Sequence, residues 1–142
     1  MNISFKEKSI WTSLITTIIV FGYYFTRVFN LLNQTTTDST NLIVLFIGVV
    51  IVMIILEIVS HITLAVIYKK EVNESSDERD KLIELKGIRI SYWILIFGIF
   101  QAIVSLLMNK SPLMVANIIL LFFVFAQIVG ESIKLYYYRK GI

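Results

Sequence analysis

Five polar side chains interrupt long apolar runs in this 142-residue sequence: Glu57, His61, Gln101, Gln127 and Glu131. An ionisable group inside a membrane span is costly, and it marks either function or a specific helix contact. Glu57 and His61 stand four residues apart on one helical face, with Ser60 beside them. Carboxyl groups in low dielectric exchange protons near neutral pH, and imidazole titrates in the same range. The pair therefore offers a proton relay or a weak cation site. H-E-x-x-H zinc chemistry needs two histidines and the chain has one, so no metal site is expected. There is no Cys, which excludes disulfides, thiolate ligands and Cys nucleophiles.

Depth orders these groups. With the inner aromatic residues as zero, Glu131 lies roughly 7 Å deep, His61 about 10 Å, Gln101 and Gln127 about 13 Å, and Glu57 about 16 Å. Ser91, Gly98, Gln101 and Ser105 share a face of the third span, and Asn117, Gln127 and Glu131 a face of the fourth. If these faces converge, they enclose a cavity open to the cytoplasm. Its chemistry would be that of a small proton- or cation-coupled carrier, working as a homodimer because four helices enclose little space. The alternative is that the same groups bond helix to helix, at about 0.6 kcal/mol each, with Glu131 pairing with Lys134. Arg27, about 24 Å from the inner interface, either snorkels to the outer headgroups near Asn30 or reaches towards Glu57. Thr12, Thr16, Gly22, Tyr23 and Thr26 read as a packing stripe on the first span. No Gly-rich phosphate loop is present, and no Ser/His/acid set shares a water-exposed level. Neither an enzyme nor a cofactor is expected.

These residues are positioned by four apolar stretches, at about 10–32, 42–68, 88–108 and 113–135. Hydrophobic residues make up 57% of the chain and charged ones 16%, well below the quarter usual in soluble domains. Mean hydropathy is +0.81. Each stretch can cross about 30 Å of hydrocarbon. In lipid the backbone must satisfy its own hydrogen bonds, so all four are expected to be helices. The predicted class is an all-α, polytopic membrane protein, a single membrane domain over 1–142, whose third helix extends into the cytosol. The first span follows Lys6 and Lys8 but is too long for a signal peptide and lacks a cleavage site, so it reads as a retained anchor.

Orientation follows from the bases. Eleven Lys and Arg residues fall at the two chain ends and the middle loop, against Lys110 alone on the other side. Seven of nine Tyr and Trp residues (Trp11, Tyr68, Tyr92, Trp93 and Tyr136 to Tyr138) gather at those same ends. Both termini and the loop are expected to be cytoplasmic, in a prokaryotic plasma (inner) membrane. The outer loops, Asn33 to Asn41 and Asn109 to Pro112, are too short to fold, though Pro112 suits the first turn of the fourth helix. Asn33-Gln34-Thr35 matches a glycosylation sequon, which a bacterial setting leaves unused.

The cytosolic segment 69–87 carries six acids against five bases, which argues against nucleic-acid or polybasic lipid binding. Ser75-Ser76-Asp77-Glu78 reads as a capping box with Ser75 as N-cap, and Asp77 can pair with Lys81. Beyond it Leu82, Leu85 and Ile88 follow one face of a helix that runs into the third span. This is either a solvated helix start or a docking surface for a cytosolic or sister-subunit partner.

Asp77-Glu78-Arg79-Asp80, followed by Lys86-Gly87-x-Arg89-x-Ser91-Tyr92, resembles a segment of small four-helix prokaryotic membrane proteins of unassigned function. There too the run opens the third helix on its cytosolic side. The likeness covers about 16 contiguous residues. It implies Asp77, Arg79, Asp80, Lys86, Arg89 and Tyr92 as shared positions. Because such proteins are described beside small helix-turn-helix regulators, it also implies signalling or self-protection. The small multidrug antiporters have a similar size and span count, but their essential Glu lies in the first span, where this chain has none. The expectation is a non-enzymatic membrane accessory protein whose Asp77, Arg79, Asp80, Lys86 and Arg89 bind a partner in signalling or in immunity to a membrane-active peptide. The carrier is the alternative. Expected partners are the lipid bilayer and a second copy or another protein, with no nucleic acid.

Overall fold

The protein is described by a computed structural model over residues 4–32, 39–69 and 77–141. The sequon, most of the first outer loop and Ser75 lie outside these residues. Four helices form: α1 (Phe5–Leu32), α2 (Ser39–Ile67), α3 (Glu78–Leu107) and α4 (Pro112–Lys140). All four are long and apolar enough to cross a membrane. The chain is an all-α polytopic membrane protein.

Local chemistry sets the helix ends. Ser4 and Glu7 satisfy each other's backbone N–H groups at 3.0 and 3.3 Å, a reciprocal box that opens α1. At α3 the cap is Asp77, not Ser75. Its extended backbone (φ −70°, ψ 157°) lets the carboxylate accept from the Glu78 N–H at 2.7 Å, while Asp80 accepts from the Asp77 N–H at 3.1 Å. A carboxylate at both ends of the box also suits the positive end of the helix. Asp77 is thus occupied as a cap instead of pairing with Lys81. Between α3 and α4 the chain turns on Asn109, whose φ of 58° puts it in the left-handed region. The N–H groups of Asn109 and Lys110 return to the carbonyls of Leu106 and Ser105. Ser111 then caps α4, a role not read from the sequence, and Pro112 stands at the helix start where its ring suits the first turn, as expected.

Packing order is α2–α1–α4–α3, so α1 and α4 form the centre and α2 and α3 the flanks. The main apolar cluster joins Val20, Phe21, Tyr24 and Val28 of α1 to Leu42, Val49 and Met53 of α2 and Leu120 and Val124 of α4. Tyr24 is 1% exposed, and its hydroxyl donates to the Asn117 side-chain oxygen at 2.7 Å. The packed stripe of α1 is therefore Leu14, Thr17, Phe21, Tyr24 and Val28. Tyr23 and Thr26 point outward, and the space a Cβ would take at Gly22 is empty. The Thr-rich face reads as packing in sequence because small residues favour close helices. In the fold Thr12 and Thr26 instead bond back to Lys8 and Gly22 carbonyls on their own helix.

The α3–α4 seam depends on small residues. Gly87, Ser91, Gly98 and Ala102 of α3 face Phe122, Ala126 and Gly130 of α4. Ser91 Oγ donates to the Ala126 carbonyl at 2.8 Å. A Cβ on Gly87 would meet Lys134 Cγ at 2.7 Å and the Gly130 carbonyl at 3.0 Å. Small residues spaced four apart, Gly87/Ser91 against Ala126/Gly130, let the two backbones approach.

Candidate functional site

At the end of the bundle that holds both chain termini, the resemblance segment is used inside the molecule. Asp80 accepts from Lys6 Nζ at 2.6 Å and from the Tyr138 hydroxyl at 2.9 Å, so one carboxylate ties the starts of α1 and α3 to the end of α4. Burial pushes the Asp80 carboxyl up, but the hydrogen bonds from Lys6, Tyr138 and the Asp77 backbone outweigh it and hold it below the usual range. The same burial and the Asp80 contact raise the Tyr138 phenol. Arg79 donates to the Tyr138 carbonyl at 3.3 Å, and Lys86 sits 4.2 Å from the Tyr137 ring centre. A cavity of about 200 Å³ lies under this clasp, between Phe5, Ser9, Ile83 and Glu84. Three further cation–ring contacts lace the same end, Lys8 on Tyr68, Arg139 near Trp11 and Lys140 near Tyr136. Four rings of the aromatic belt thus carry a basic partner, while Tyr92 and Trp93 meet edge to face.

The clasp fixes which side of α3 faces out. Asp80, Ile83, Gly87 and Ser91 turn inward; Leu82, Leu85, Arg89 and Tyr92 turn outward at three- and four-residue steps. Leu82 is 56% exposed and Leu85 62%, although both precede the third apolar stretch. Of the five charged positions singled out from sequence, Asp77, Arg79, Asp80 and Lys86 have partners within the chain. Arg89 is exposed.

Four of the five intramembrane polar residues separate into two places, and the five do not share one cavity. Glu57 and His61 face α1. Ser13 Oγ donates to Glu57 Oε1 at 2.9 Å, His61 Nε2 lies 3.0 Å from Glu57 Oε2, and Ser9 Oγ lies 3.1 Å from His61 Nδ1. Four side chains thus form a continuous hydrogen-bonded chain across the α1–α2 contact. Gln127 and Glu131 instead line a groove of about 400 Å³ against Ser91, Tyr92 and Leu95 of α3. Glu131 accepts from Lys134 at 3.0 Å, the pairing their spacing allows. Gln101 is exposed and belongs to neither place. Arg27 donates through Nε to the Tyr23 hydroxyl at 3.1 Å and makes no pair with Glu57, whose oxygens are taken by Ser13 and His61.

Sequence reasoning missed Ser9, Ser13, Lys6 and Tyr138. A signal exists for the serines: two hydroxyls four apart on α1 match an acid and imidazole four apart on α2. None exists for Lys6 and Tyr138, because only the helix order brings them to Asp80. No family model, no curated protein and no solved structure matches this chain.

Proposed function

We propose that the protein is a non-enzymatic membrane accessory protein that docks a protein partner on the outward ridge of α3, in signalling or in self-protection against a membrane-active peptide. One observation carries this reading: Leu82 and Leu85 lie exposed on a helix face beyond the third apolar stretch, while the opposite face is clasped by Asp80. Burying two leucines is worth about 1.5–3 kcal/mol each, so a ridge left bare in water is a ready surface for another apolar helix. Tyr92 and Arg89 extend it towards the headgroups, residue types favoured at the centres of interfaces. The same reading places both termini and the ridge in the cytoplasm of a prokaryotic cell. The test is native electrophoresis of mildly solubilised membranes. The wild-type chain is expected in a complex heavier than its own 16.4 kDa. Replacing Leu82 and Leu85 by Asp should collapse that complex with little change in melting temperature, since both side chains are more than half exposed. An unchanged complex would remove the ridge as the docking site.

A second reading, the proton- or cation-coupled carrier, is supported by the Ser9–His61–Glu57–Ser13 chain. One turn deeper Thr17 is fully buried and its hydroxyl has no partner among the described residues, which extends the polar line into the bilayer. The discriminating prediction concerns Glu57→Gln. The substituted amide would still accept from Ser13 but could not exchange a proton with His61. If the protein is an accessory, proteoliposomes show no proton or cation flux above leak, and the substitution changes nothing. Flux abolished by Glu57→Gln would establish the carrier.

A further inference from the structure

We infer that the groove between α1 and α2 binds one anionic phospholipid, an acyl chain lying in the groove and its phosphate held by Arg27. The groove is lined by Ile19, Val20 and Tyr23 from α1 and by Val44, Gly48 and Val52 from α2, and it encloses about 540 Å³. That falls within the roughly 300–1,000 Å³ of sites that hold small ligands. Its wall is apolar but for the Tyr23 hydroxyl. Gly48 keeps it deep: the space a Cβ would take there is empty, so this glycine serves no contact within the chain.

A cation stands at one end. Ile19, Tyr23 and Arg27 follow one another at four-residue steps, about 6 Å each, towards the membrane face opposite the chain termini. Arg27 is exposed; Tyr23 takes its Nε, and its guanidinium lies 5.3 Å from the Tyr23 ring centre. Among the described residues it has no carboxylate partner, and none of them accepts from its two terminal amino groups. Those amino groups form the fork that fits two oxygens of one phosphate. An apolar trough below and an oriented cation above reproduce the outline of a phospholipid.

Charge decides between lipid and protein as the occupant. A second copy packed into the groove would bury Arg27 without an acid to meet it, because the outward faces of α1 and α2 near the groove carry none among the described residues. An anionic lipid neutralises the charge and fills the trough together. This inference is independent of the docking ridge, which lies at the opposite end of the molecule.

The experiment is native mass spectrometry of the whole chain extracted from vesicles of phosphatidylcholine containing a minor share of phosphatidylglycerol. The wild type should retain one phosphatidylglycerol per chain. Arg27→Gln should lower that retention about tenfold, the size expected for losing a charge-assisted hydrogen bond, and Gly48→Phe, which fills the groove, should lower it as well. Arg27→Lys should lower it less, and Ile119→Phe, on an outward face of α4, should leave it unchanged. Equal retention in all variants, or no preference over phosphatidylcholine, would reduce the lipid to nonspecific coating and overturn the inference. So would a dimer that Gly48→Phe turns into monomer while lipid retention stays the same, which would identify a second copy as the occupant. Arg27 and Gly48 make no core contact, so loss of folding does not confound either variant.

Discussion

Replacing Gly130 by Leu is expected to part α3 from α4 and to cost about 1–3 kcal/mol or more, the range for overfilling a packed seam. A Cβ there would run into Ser91 Oγ and come within 3.4 Å of the Gly87 carbonyl. The Ser91 hydroxyl would have to leave the Ala126 carbonyl, so steric and hydrogen-bond losses combine. Neither backbone can retreat without opening the whole seam, because Gly98 sits equally close to Phe122 two turns away. Reversible unfolding in mixed detergent micelles would read the loss. Gly48→Leu, with open space around it, should leave the same midpoint unchanged. Equal effects of the two substitutions would contradict the packing order α2–α1–α4–α3.

The second large effect concerns Asp80. Asp80→Lys places two ammonium groups together at the clasp and leaves the Tyr138 hydroxyl without its acceptor. The side chains of Lys6 and Asp80 are 37% and 20% exposed, so solvent screening limits the ion-pair share to well under the value for a buried pair. With the Tyr138 hydrogen bond and the cap included, a loss of about 1–3 kcal/mol is expected. Restoring opposite charge with Lys6→Asp in the same chain should recover part of it. The carboxyl is held below its ordinary pKa, so its contribution is complete above about pH 4 and is lost as pH falls through the lowered folded value. Acid should therefore loosen the three helix ends at the clasp in the wild type and change little in Asp80→Asn. The clasp also changes how the segment's charges are to be tested. A phenotype from Asp80 or Arg79 substitution reports the helix ends as much as any partner, whereas Leu85 and Arg89 report the outward face.

The helices were legible because solvent dictates them. A run of twenty apolar residues in lipid has one backbone solution, and the order of residues shows four such runs. Pro112 marked the start of α4 for the same local reason. The cap of α3 lies at Asp77, two residues beyond the Ser75 that the capping-box pattern points to. Ser-Ser-Asp-Glu offers competing side chains for one orphan N–H group, and Asp77 prevails because Asp80 can answer it. Polar groups were misassembled for a different reason. Each helix face can be read from its own period, but which faces meet depends on helix order, and nothing in the spacing of Gln101, Gln127 and Glu57 encodes that order. Gly98 and Ser91 looked like the wall of a cavity; they are the seam where α3 and α4 touch. Pairs of small residues four apart on two helices are the available signal, and they lie in the most extensively packed helix pair among the described residues.

The docking ridge is tested most directly by site-specific photo-crosslinking in living cells, with the reactive side chain moved one residue at a time from Leu82 to Arg89. A discrete protein adduct is expected at Leu82, Leu85 and Arg89 and none at Ile83 or Gly87, an alternation that follows the helix. The adduct's mass distinguishes a second copy from another protein. No adduct at any outward position, or one that ignores the helical period, would contradict the proposal that α3 carries the partner.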